Sequence, residues 1–359
     1  MMRRRGKGKR GDPVSSGSSK TDPSMRFVPP WEQTAVEWRA PKDSQFRPSS
    51  LDQFIGQERH VERLRITITS ARKQSKPLPH MAFVSPPGMG KTTLAFLVAK
   101  EMSGGFIPTT GTAMRSMPEV YKKIQGLRGG VLFVDEAHDL ARARDFPIVS
   151  ALLPLLEDFV CYLPQGRLAV QPFTIILATT HYGMLDPALR SRMGIPYDLD
   201  AYEMHELSDI VMNLQDKLNC MIDADAAEMI AARCRGQPRT AVNITRECHN
   251  YAVAFGVERV SADEVLAACD LLRIDKYGLM EDDRKILNLL SNGPVSLTGC
   301  ASYLGMDKKT FENVIEDFLF REGYVTRGSK GRDITEKGME ILTLINRPPD
   351  GPTPRPRTF

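Results

Sequence analysis

The stretch SPPGMGKTT (85–93) lies between an apolar run, His80 to Ser85, and a helix-patterned segment, Lys91 to Met102. A glycine-rich turn between a strand and a helix, closed by Lys-Thr, is typical of a phosphate-binding loop. The backbone N–H groups of such a loop surround phosphate oxygens, and the following helix directs its positive N-terminus at them. The stretch therefore predicts an α/β domain that binds a nucleoside triphosphate.

The residues of this loop have separate roles in binding a nucleotide and its metal ion. Gly88 and Gly90 allow the backbone to approach the phosphates closely, and Lys91 is expected to reach the β and γ phosphates. The Thr92 hydroxyl is expected to bind Mg²⁺. Ser85 occupies the place of the usual first glycine. Because serine fits that turn when its φ is negative, we expect the loop to bind ATP.

A second motif, VLFVDEAH (131–138), sets two carboxylates directly after an apolar run. A buried strand would deliver Asp135 to the Mg²⁺ shell and Glu136 to the attacking water, which it orients and polarises. The letters DEAH also mark a class of helicases with two tandem motor domains. The patterns after residue 203 are helical and then winged-helix, which argues against that class because it needs a second α/β domain.

Changes of pattern along the chain divide it into five segments. Strand and helix patterns alternate over 46–202, which predicts an ATPase domain with a parallel sheet covered on both faces. Helical patterns predict a lid domain over 203–274, and a helix-turn-helix with two short strands predicts a winged helix over 275–345. Residues 1–45 and 346–359 are rich in Gly, Ser, Pro and basic residues, which predicts a disordered basic arm and a flexible tail.

Further polar residues follow the third predicted strand, FTIILATT (173–180), which ends in hydroxyls suited to the γ-phosphate or the attacking water. The run LRSR (189–192) comes just beyond this strand, and GQPR (236–239) begins a helix of the predicted lid. Arginines at such positions stabilise the charge of a phosphoryl-transfer transition state. We expect Arg192 to act from a neighbouring subunit and Arg239 to act from the lid.

As an ordered set, the motifs of residues 46–340 resemble those of AAA+ ATPases. Within that class the chain resembles the RuvB family of hexameric Holliday-junction branch-migration motors. The resemblance rests on these segments: RPSSLDQFIGQ (47–57), PPGMGKTTLA (86–95), LLPLLEDF (152–159), PFTIILATT (172–180), LRSRMGI (189–195) and RGQPRTAVN (235–243), together with the closing winged helix.

The resemblance implies nucleotide contacts beyond those that the loop pattern predicts. Around the base and sugar it implies contacts from Phe46, Arg47 and Ile55, with Tyr202 near the base. The rest of the implied nucleotide site is Gly88, Gly90, Lys91, Thr92, Thr93, Glu157, Asp158 and Phe159. Three further roles are implied: Thr179 or Thr180 as sensor 1, Arg192 as the trans arginine finger with Arg190 beside it, and Arg239 as sensor 2.

The turn RGSKGR (327–332) clusters Arg327, Lys330 and Arg332 around two glycines. Such a turn suits a wing that grips phosphates in a groove without reading the base sequence. The preceding helix, Lys308 to Glu322, has a net acidic set of charged side chains, which makes it a poor reader of bases. The resemblance assigns DNA contact to Arg327 and Arg332. A solvated hairpin with incidental charge is the alternative interpretation.

The resemblance also implies partners: duplex DNA, four-way DNA junctions and further copies of the chain in a homo-hexamer. Between Phe159 and Phe173 the family carries a longer β-hairpin that docks the junction-binding partner RuvA. This chain has only VCYLPQGRLAVQP (160–172) there. The shortened segment leaves docking of a RuvA-type partner open.

Composition and charge exclude other classes of protein. The apolar runs are far shorter than the roughly 18 to 20 residues that span a bilayer, so no membrane partner is expected. The stretch MMRRRGKGKR (1–10) supplies more than the whole net charge of +4, and no apolar signal segment follows it. We therefore expect a cytoplasmic protein. The six cysteines form no C-x-x-C pair, which favours free thiols over a disulfide framework or a zinc site.

The predicted function is an ATP-driven DNA motor for Holliday junction branch migration in recombination and repair, with ATP and Mg²⁺ as cofactors. Its predicted catalytic residues are Lys91, Asp135, Glu136, Arg192 and Arg239. One alternative is a clamp-loader or helicase-loader AAA+ ATPase of DNA replication. Another is a DNA-binding regulator that uses ATP only as an assembly switch. Glu136 argues against the switch, because a protein that only binds ATP does not need a water-activating carboxylate.

Overall fold

The computed structural model describes residues 45–346, except 126, 128–129, 143–147 and 165. Apart from Gln45 and Asn346, the predicted basic arm and C-terminal tail lie outside the described residues. None of the helices in these ranges is long and apolar enough to cross a bilayer. All six cysteines are free thiols, and five of them are buried.

The elements are numbered in chain order. The strands are β1 (Met81–Val84), β2 (Phe106–Thr110), β3 (Val131–Asp135), β4 (Val160–Leu163), β5 (Gly166–Ala169), β6 (Thr174–Thr179), β7 (Tyr197–Asp198), β8 (Met221–Ile222), β9 (Arg259–Val260), β10 (Val325–Gly328) and β11 (Gly331–Ile334). The helices are α1 (Glu58–Gln74), α2 (Lys91–Glu101), α3 (Met117–Ile124), α4 (Ile148–Asp158), α5 (Pro187–Arg190), α6 (Met204–Met212), α7 (Gln215–Leu218), α8 (Ala224–Ala231), α9 (Pro238–Ala254), α10 (Ala262–Leu271), α11 (Glu281–Leu290), α12 (Leu297–Tyr303), α13 (Lys308–Phe311), α14 (Asp317–Arg321) and α15 (Glu336–Ile345).

A five-stranded sheet of order β2-β3-β6-β1-β7 forms the first domain, and all its pairings are parallel. Alternate residues of its strands enter two different cores. Phe83 and Phe133 pack with α1 and α2, whereas Leu132 and Leu177 pack with α3 and α4. Both faces of the sheet are therefore covered, and the predicted parallel α/β fold is confirmed. The carboxyl ends of β1, β3 and β6 meet at one edge.

Several elements of this domain did not follow from the sequence pattern. β2 contains Pro108 and alternates irregularly between buried and exposed residues. Its position at the end of the sheet order explains this, because an edge strand tolerates proline. β7 is only two residues long and gives no periodic signal. Short strands at sheet edges carry too few buried positions for periodicity to predict them.

The lid domain is helical, as predicted, but it contains a two-residue parallel pair, β8 and β9, that the pattern did not predict. The lid helices share one hydrophobic cluster with α1 and α2 of the sheet domain. The winged helix has a separate core. Its predicted helix over Lys308 to Glu322 is one continuous rod with a π turn, Glu312–Glu316, between α13 and α14. The wing is the antiparallel pair of β10 and β11.

A buried ion pair joins the lid to the winged helix. The Arg235 guanidinium donates to Asp283 of α11, and the two side chains are 6% and 0% exposed. The Nε atom of Arg235 also donates to the carbonyl of Gly278 at 2.7 Å, and its guanidinium lies 4.3 Å from the centroid of the Phe318 ring. Burial raises the pKa of the Asp283 carboxyl, and Arg235 opposes that rise.

Candidate functional site

The phosphate-binding loop leaves β1 at its carboxyl end and enters α2 at Lys91. Gly88 and Gly90 have φ angles of +85° and +94°, a region that side-chain-bearing residues rarely adopt. Ser85, at the place of the usual first glycine, keeps a φ outside the left-handed region. Ser85 therefore fits the turn that a glycine usually occupies in such loops.

Lys91 is buried inside this loop. Its Nζ atom donates to the carbonyl oxygens of Ser85 at 2.7 Å and of Pro86 at 3.0 Å, and to the Ser85 hydroxyl at 3.2 Å. Burial lowers the pKa of Lys91, the carboxylates of Asp135 and Glu136 oppose that effect, and the positive charge of Arg239 adds to it. Serine at position 85 thus supplies a hydroxyl acceptor that glycine would lack.

The two carboxylates of the second motif follow β3 at the same edge. Asp135 ends the strand, and its Oδ1 atom accepts from the backbone N–H of Glu136 at 3.0 Å. Glu136 has a φ of +46°, a strained conformation for a residue with a side chain. A Cβ atom at Gly111 would lie 2.6 Å from the Glu136 carbonyl oxygen, so glycine is required opposite this turn.

Thr180 and His138 contact the Glu136 carboxylate, and each has a further polar partner behind it. Thr180 Oγ1 donates to Glu136 Oε2 at 3.4 Å and lies 2.7 Å from Nδ1 of His181. The Nδ1 atom of His138 lies 3.3 Å from Glu136 Oε2 and 3.0 Å from Oγ1 of the fully buried Thr179. Burial lowers the pKa of His138, which favours the neutral imidazole near pH 7. Of the two candidate sensor residues, Thr180 is the one that contacts Glu136.

Neither histidine was given a role from the sequence. His138 is the last letter of DEAH, and this was the available signal. Its contact with Thr179 spans 41 residues, however, and only the adjacency of β3 and β6 brings the two together.

The lid lies directly against the phosphate-binding loop. The backbone N–H of Arg239, in the first turn of α9, donates to the Gly88 carbonyl at 3.4 Å. A Cβ atom at Gly88 would lie 3.4 Å from Cβ of Arg239 and 3.4 Å from Oε1 of Gln237. The backbone of the predicted sensor 2 arginine therefore lies against the loop, and Gln237 is a further neighbour of the loop that did not follow from the sequence.

The residues implied for the base form a second group beside the loop. The Tyr202 hydroxyl and the Phe54 ring lie 3.7 Å and 3.4 Å from the position of a Cβ atom at Gly90. The carbonyl oxygens of Phe46 and Arg47 accept from Nζ of Lys217 at 3.2 Å and 3.1 Å. This contact ties the 46–47 segment to the lid. Ile55 is half-buried, and Phe54, which precedes it, is a further missed neighbour of the loop.

The predicted group Glu157, Asp158 and Phe159 lies elsewhere in the chain. The ring of Phe159 packs against His80 and Phe173, with centroids 6.4 Å and 6.1 Å away. Both of those residues precede the amino ends of their strands, β1 and β6. The group is therefore at the edge of the sheet opposite to the phosphate-binding loop, and the structure does not bring it to the loop of its own chain.

The predicted arginine finger is next to this second group. Arg192 donates through Nη1 to the Ala188 carbonyl at 2.7 Å and through Nη2 to the Glu157 carboxylate. The guanidinium of Arg190 lies 5.8 Å from the centroid of the Tyr182 ring. Glu157 and Arg192 thus form one surface that is separate from the Lys91 pocket.

The wing carries the three cations that the sequence singled out. Arg327 and Arg332 are direct cross-strand partners, and Lys330 lies exposed in the turn between β10 and β11. The helix beneath the wing supplies Glu316, whose carboxylate accepts hydrogen bonds from both arginines. In the sequence Glu316 is one of several acidic residues of this helix, and its contact with the wing could not be predicted from the pattern.

Three family models match consecutive parts of the chain. Residues 46–199 match the Holliday junction DNA helicase RuvB P-loop domain, residues 202–275 match the RuvB AAA lid domain, and residues 276–343 match the RuvB C-terminal winged helix domain.

The chain belongs to the RuvB family.

Relatives support this membership over most of the chain. The RuvB branch migration complex subunit of Thermotoga maritima is 37% identical over 309 residues, which cover 82% of this chain and 91% of that relative. The subunit of Methanoregula boonei is 36% identical and covers 83% and 92%. A solved structure of the Thermotoga maritima RuvB Holliday junction branch migration motor matches with a TM-score of 0.75 and 36% identity, and covers 83% of this chain and 98% of that chain.

The residues of this RuvB-family pocket fit a nucleotide with a divalent cation. The family is one of P-loop AAA+ ATPases, so ATP binding and hydrolysis are its chemistry. Glycines 88 and 90 leave a cradle that any Cβ atom would narrow. Thr92 and Thr93 are half-buried in the first turn of α2, and Asp135 is half-buried at the end of β3. Hydroxyl and carboxylate oxygens are the ligands that Mg²⁺ prefers.

Proposed function

We propose that this RuvB-family chain is an ATP-driven motor that moves the branch point of Holliday junctions during recombination and repair. The main observation behind this proposal is that the lid contacts the ATPase pocket and is also joined to a winged helix, a fold that commonly binds DNA. Arg239 contacts the phosphate-binding loop, and Arg235, a few residues earlier, anchors the winged helix. The names of the relatives support the junction as the substrate.

Within the pocket, the residues have distinct proposed tasks. Lys91 exchanges its hydrogen bonds to loop carbonyls for β- and γ-phosphate oxygens, because those oxygens are negatively charged. Mg²⁺ would neutralise phosphate charge, held by Thr92 and Asp135. Glu136 orients the attacking water, and Thr180 contacts the same carboxylate. Phe46, Arg47, Ile55 and Tyr202 enclose the base and sugar, and Gly88, Gly90 and Thr93 complete the phosphate cradle.

A complete site needs a neighbouring subunit. Glu157, Asp158 and Phe159 lie across the sheet from the Lys91 pocket, and the Glu157 carboxylate holds Arg192. We propose that this surface faces the nucleotide of an adjacent protomer, with Arg192 as the trans arginine finger and Arg190 beside it. A head-to-tail contact generates a closed ring when the rotation between subunits closes, and a homo-hexamer is the proposed ring.

The wing is the proposed DNA contact of each protomer. Arg327 and Lys330 are exposed cations on a two-stranded ribbon, which suits phosphate binding without base readout. The β4–β5 hairpin has two four-residue strands and leaves the Tyr162 side chain exposed. An exposed aromatic side chain on this hairpin is the proposed docking point for a RuvA-type partner.

The experiment is ATP-dependent dissociation of a synthetic four-way junction by the purified full chain. An equal-length linear duplex is the comparator, and Lys91→Ala is the control. A second arm adds a RuvA-type protein to the same junction. We expect junction-selective dissociation that requires Lys91 in at least one arm. Activity only in the second arm would show that the chain needs a RuvA-type partner.

ATP hydrolysis without junction processing in either arm would refute the proposed function while leaving the ATPase intact. The clamp-loader or helicase-loader alternative is not favoured, because all three matching family models carry RuvB descriptions.

A further inference from the structure

The buried carboxylate of Glu316 lies beneath the wing. Its side chain is 1% exposed and projects from the π turn between α13 and α14. A single oxygen, Oε1, accepts from Nε of Arg327 and from Nε of Arg332, each at 2.8 Å. The other oxygen, Oε2, accepts from Nη2 of Arg332 at 3.2 Å. One acidic group thus holds both arginines of the wing.

These contacts divide the two arginines. Arg332 is 17% exposed, is held through both Nε and Nη2, and has Glu312 as a second carboxylate 3.7 Å from Nη2. Arg327 is 51% exposed and is held through Nε, and its guanidinium lies 4.6 Å from the centroid of the Phe320 ring. Arg332 is therefore largely covered by the helix, whereas half of the Arg327 side chain is exposed to solvent.

We propose that Glu316 is a positioning residue for DNA binding, which fixes the guanidinium of Arg327 toward a phosphate and uses Arg332 as a structural link between helix and wing. The proposal rests on the proposed DNA-binding role of the wing. It separates Arg327 from Arg332, although both were expected to contact DNA.

Two physical effects of Glu316 on DNA binding have opposite signs. A carboxylate near a phosphate repels it, and the repulsion acts within a Debye length of about 8–10 Å. A guanidinium that is already held in one geometry, however, loses less side-chain freedom when it binds a phosphate. Removal of the charge therefore tightens binding if repulsion dominates and weakens binding if positioning dominates.

Ionised Glu316 can maintain its ion pairs with Arg327 and Arg332 at neutral pH. Burial by itself raises the pKa of Glu316, but the hydrogen bonds and charges of Arg332 and Arg327 together keep the pKa below its ordinary value. The carboxylate is consequently charged at neutral pH. π turns inside α-helices are rare and are often found at functional sites, and this one carries the residue that contacts the wing.

The first experiment compares Glu316→Gln with Glu312→Gln in the full chain. Both variants remove one negative charge from the same helical segment, but Glu312 is half-exposed and contacts only the Arg332 side of the pair within the described residues. Fluorescence anisotropy measures the Kd for a labelled linear duplex. We expect about threefold to fivefold weaker binding for Glu316→Gln and unchanged or tighter binding for Glu312→Gln. Equal or tighter binding by Glu316→Gln would overturn the proposal.

A double-mutant cycle separates positioning from general damage to the wing. If Glu316 acts through Arg327, then Glu316→Gln lowers affinity little further in an Arg327→Ala background. A full additional loss in that background means that the wing itself is disrupted, which contradicts the positioning role. Basal ATP hydrolysis and the first thermal unfolding transition report on the ATPase domain in every variant.

A second pair of variants does not depend on the folding of Glu316→Gln. Arg332→Gln should keep DNA affinity within about twofold, whereas Arg327→Gln should lose about tenfold. Equal losses would make both arginines DNA contacts and would overturn the division between them. If neither variant changes DNA affinity, the wing is not a DNA contact, and it is then the proposed function of the wing that fails.

Discussion

Lys91 and Arg327 are both expected to meet phosphate oxygens, yet their surroundings differ. Lys91 is 8% exposed and bonds to carbonyl oxygens of its own loop. Arg327 is 51% exposed and bonds to a side-chain carboxylate from a separate helix. The Lys91 pocket is built from backbone with glycines in left-handed geometry, whereas the Arg327 contact is built from side chains on a two-stranded ribbon.

The difference shows what each region can recognise. A backbone cradle with fixed glycines sets positions to fractions of an ångström, which a phosphoryl-transfer reaction requires. A ribbon with exposed cations contributes a charge interaction that depends on salt and tolerates any base sequence. Substitutions in the pocket should therefore have large effects on chemistry, and substitutions in the wing should have graded effects on affinity.

The largest effect is expected for Lys91→Ala. Loss of a buried charged partner of the phosphates should weaken ATP binding on the order of 10²- to 10³-fold and abolish measurable hydrolysis. Titration with a fluorescent ATP analogue measures the first quantity, and phosphate release measures the second. Nearly normal ATP affinity in this variant would contradict the assignment of the loop.

Arg192→Ala should reduce the turnover number about 10³-fold while leaving nucleotide affinity nearly unchanged, because an arginine finger acts on the transition state. Mixing this variant with Lys91→Ala supplies an informative control. Sites that combine an intact loop from one protomer with Arg192 from the other should recover part of the activity. If mixing restores nothing, Arg192 does not act across a subunit interface.

Glu136→Gln should bind ATP and lower turnover by about 10²- to 10⁴-fold, because the group that orients the water is lost. Glu119→Gln removes an exposed carboxylate of α3 in the same domain and serves as the control, with turnover expected to stay within about twofold. Single-turnover hydrolysis separates chemistry from product release. Turnover by Glu136→Gln close to that of the unaltered chain would show that another group orients the water.

The smallest effect is expected in the wing. Arg327→Ala should weaken duplex binding by about tenfold, uniformly across sequences. The slope of log affinity against log salt should decrease by about one, as for the loss of one phosphate contact. Lys285→Ala, which removes an exposed cation of α11 paired with Glu281 and Asp282, is the control. A strong dependence on base sequence would argue for direct readout instead.

The sequence predicted those parts of the fold that repeat a buried pattern. Helices were expected over Lys91 to Met102 and over Lys308 to Glu322. In the structure, α2 and the continuous helix from α13 to α14 begin at those residues and end within one residue of those bounds. The edge strand β2, with its proline, and the two-residue strands could not be predicted, because they bury too few side chains to produce a period. The glycine-rich loop was predictable because its residue types have few other uses in that context.

The contacts that complete the site were less accessible to sequence reasoning. His138 meets Thr179 and Glu316 meets two arginines only after sheet order and wing docking are set. No spacing rule encodes such contacts. Glu157 illustrates the opposite case, since its motif was recognised but its position opposite to the loop required the structure.

The buried pair of Arg235 and Asp283 has a mechanical consequence. Separation of the two groups would leave an uncompensated buried charge, which costs about 3–5 kcal/mol. Arg321 of α14 adds a second tie, because its Nη2 atom donates to the Arg235 carbonyl at 2.6 Å. The lid and the winged helix are thus coupled stiffly. A small rotation of the lid over the nucleotide would therefore move the winged helix through nearly the same angle, because the two domains would rotate together as one rigid body.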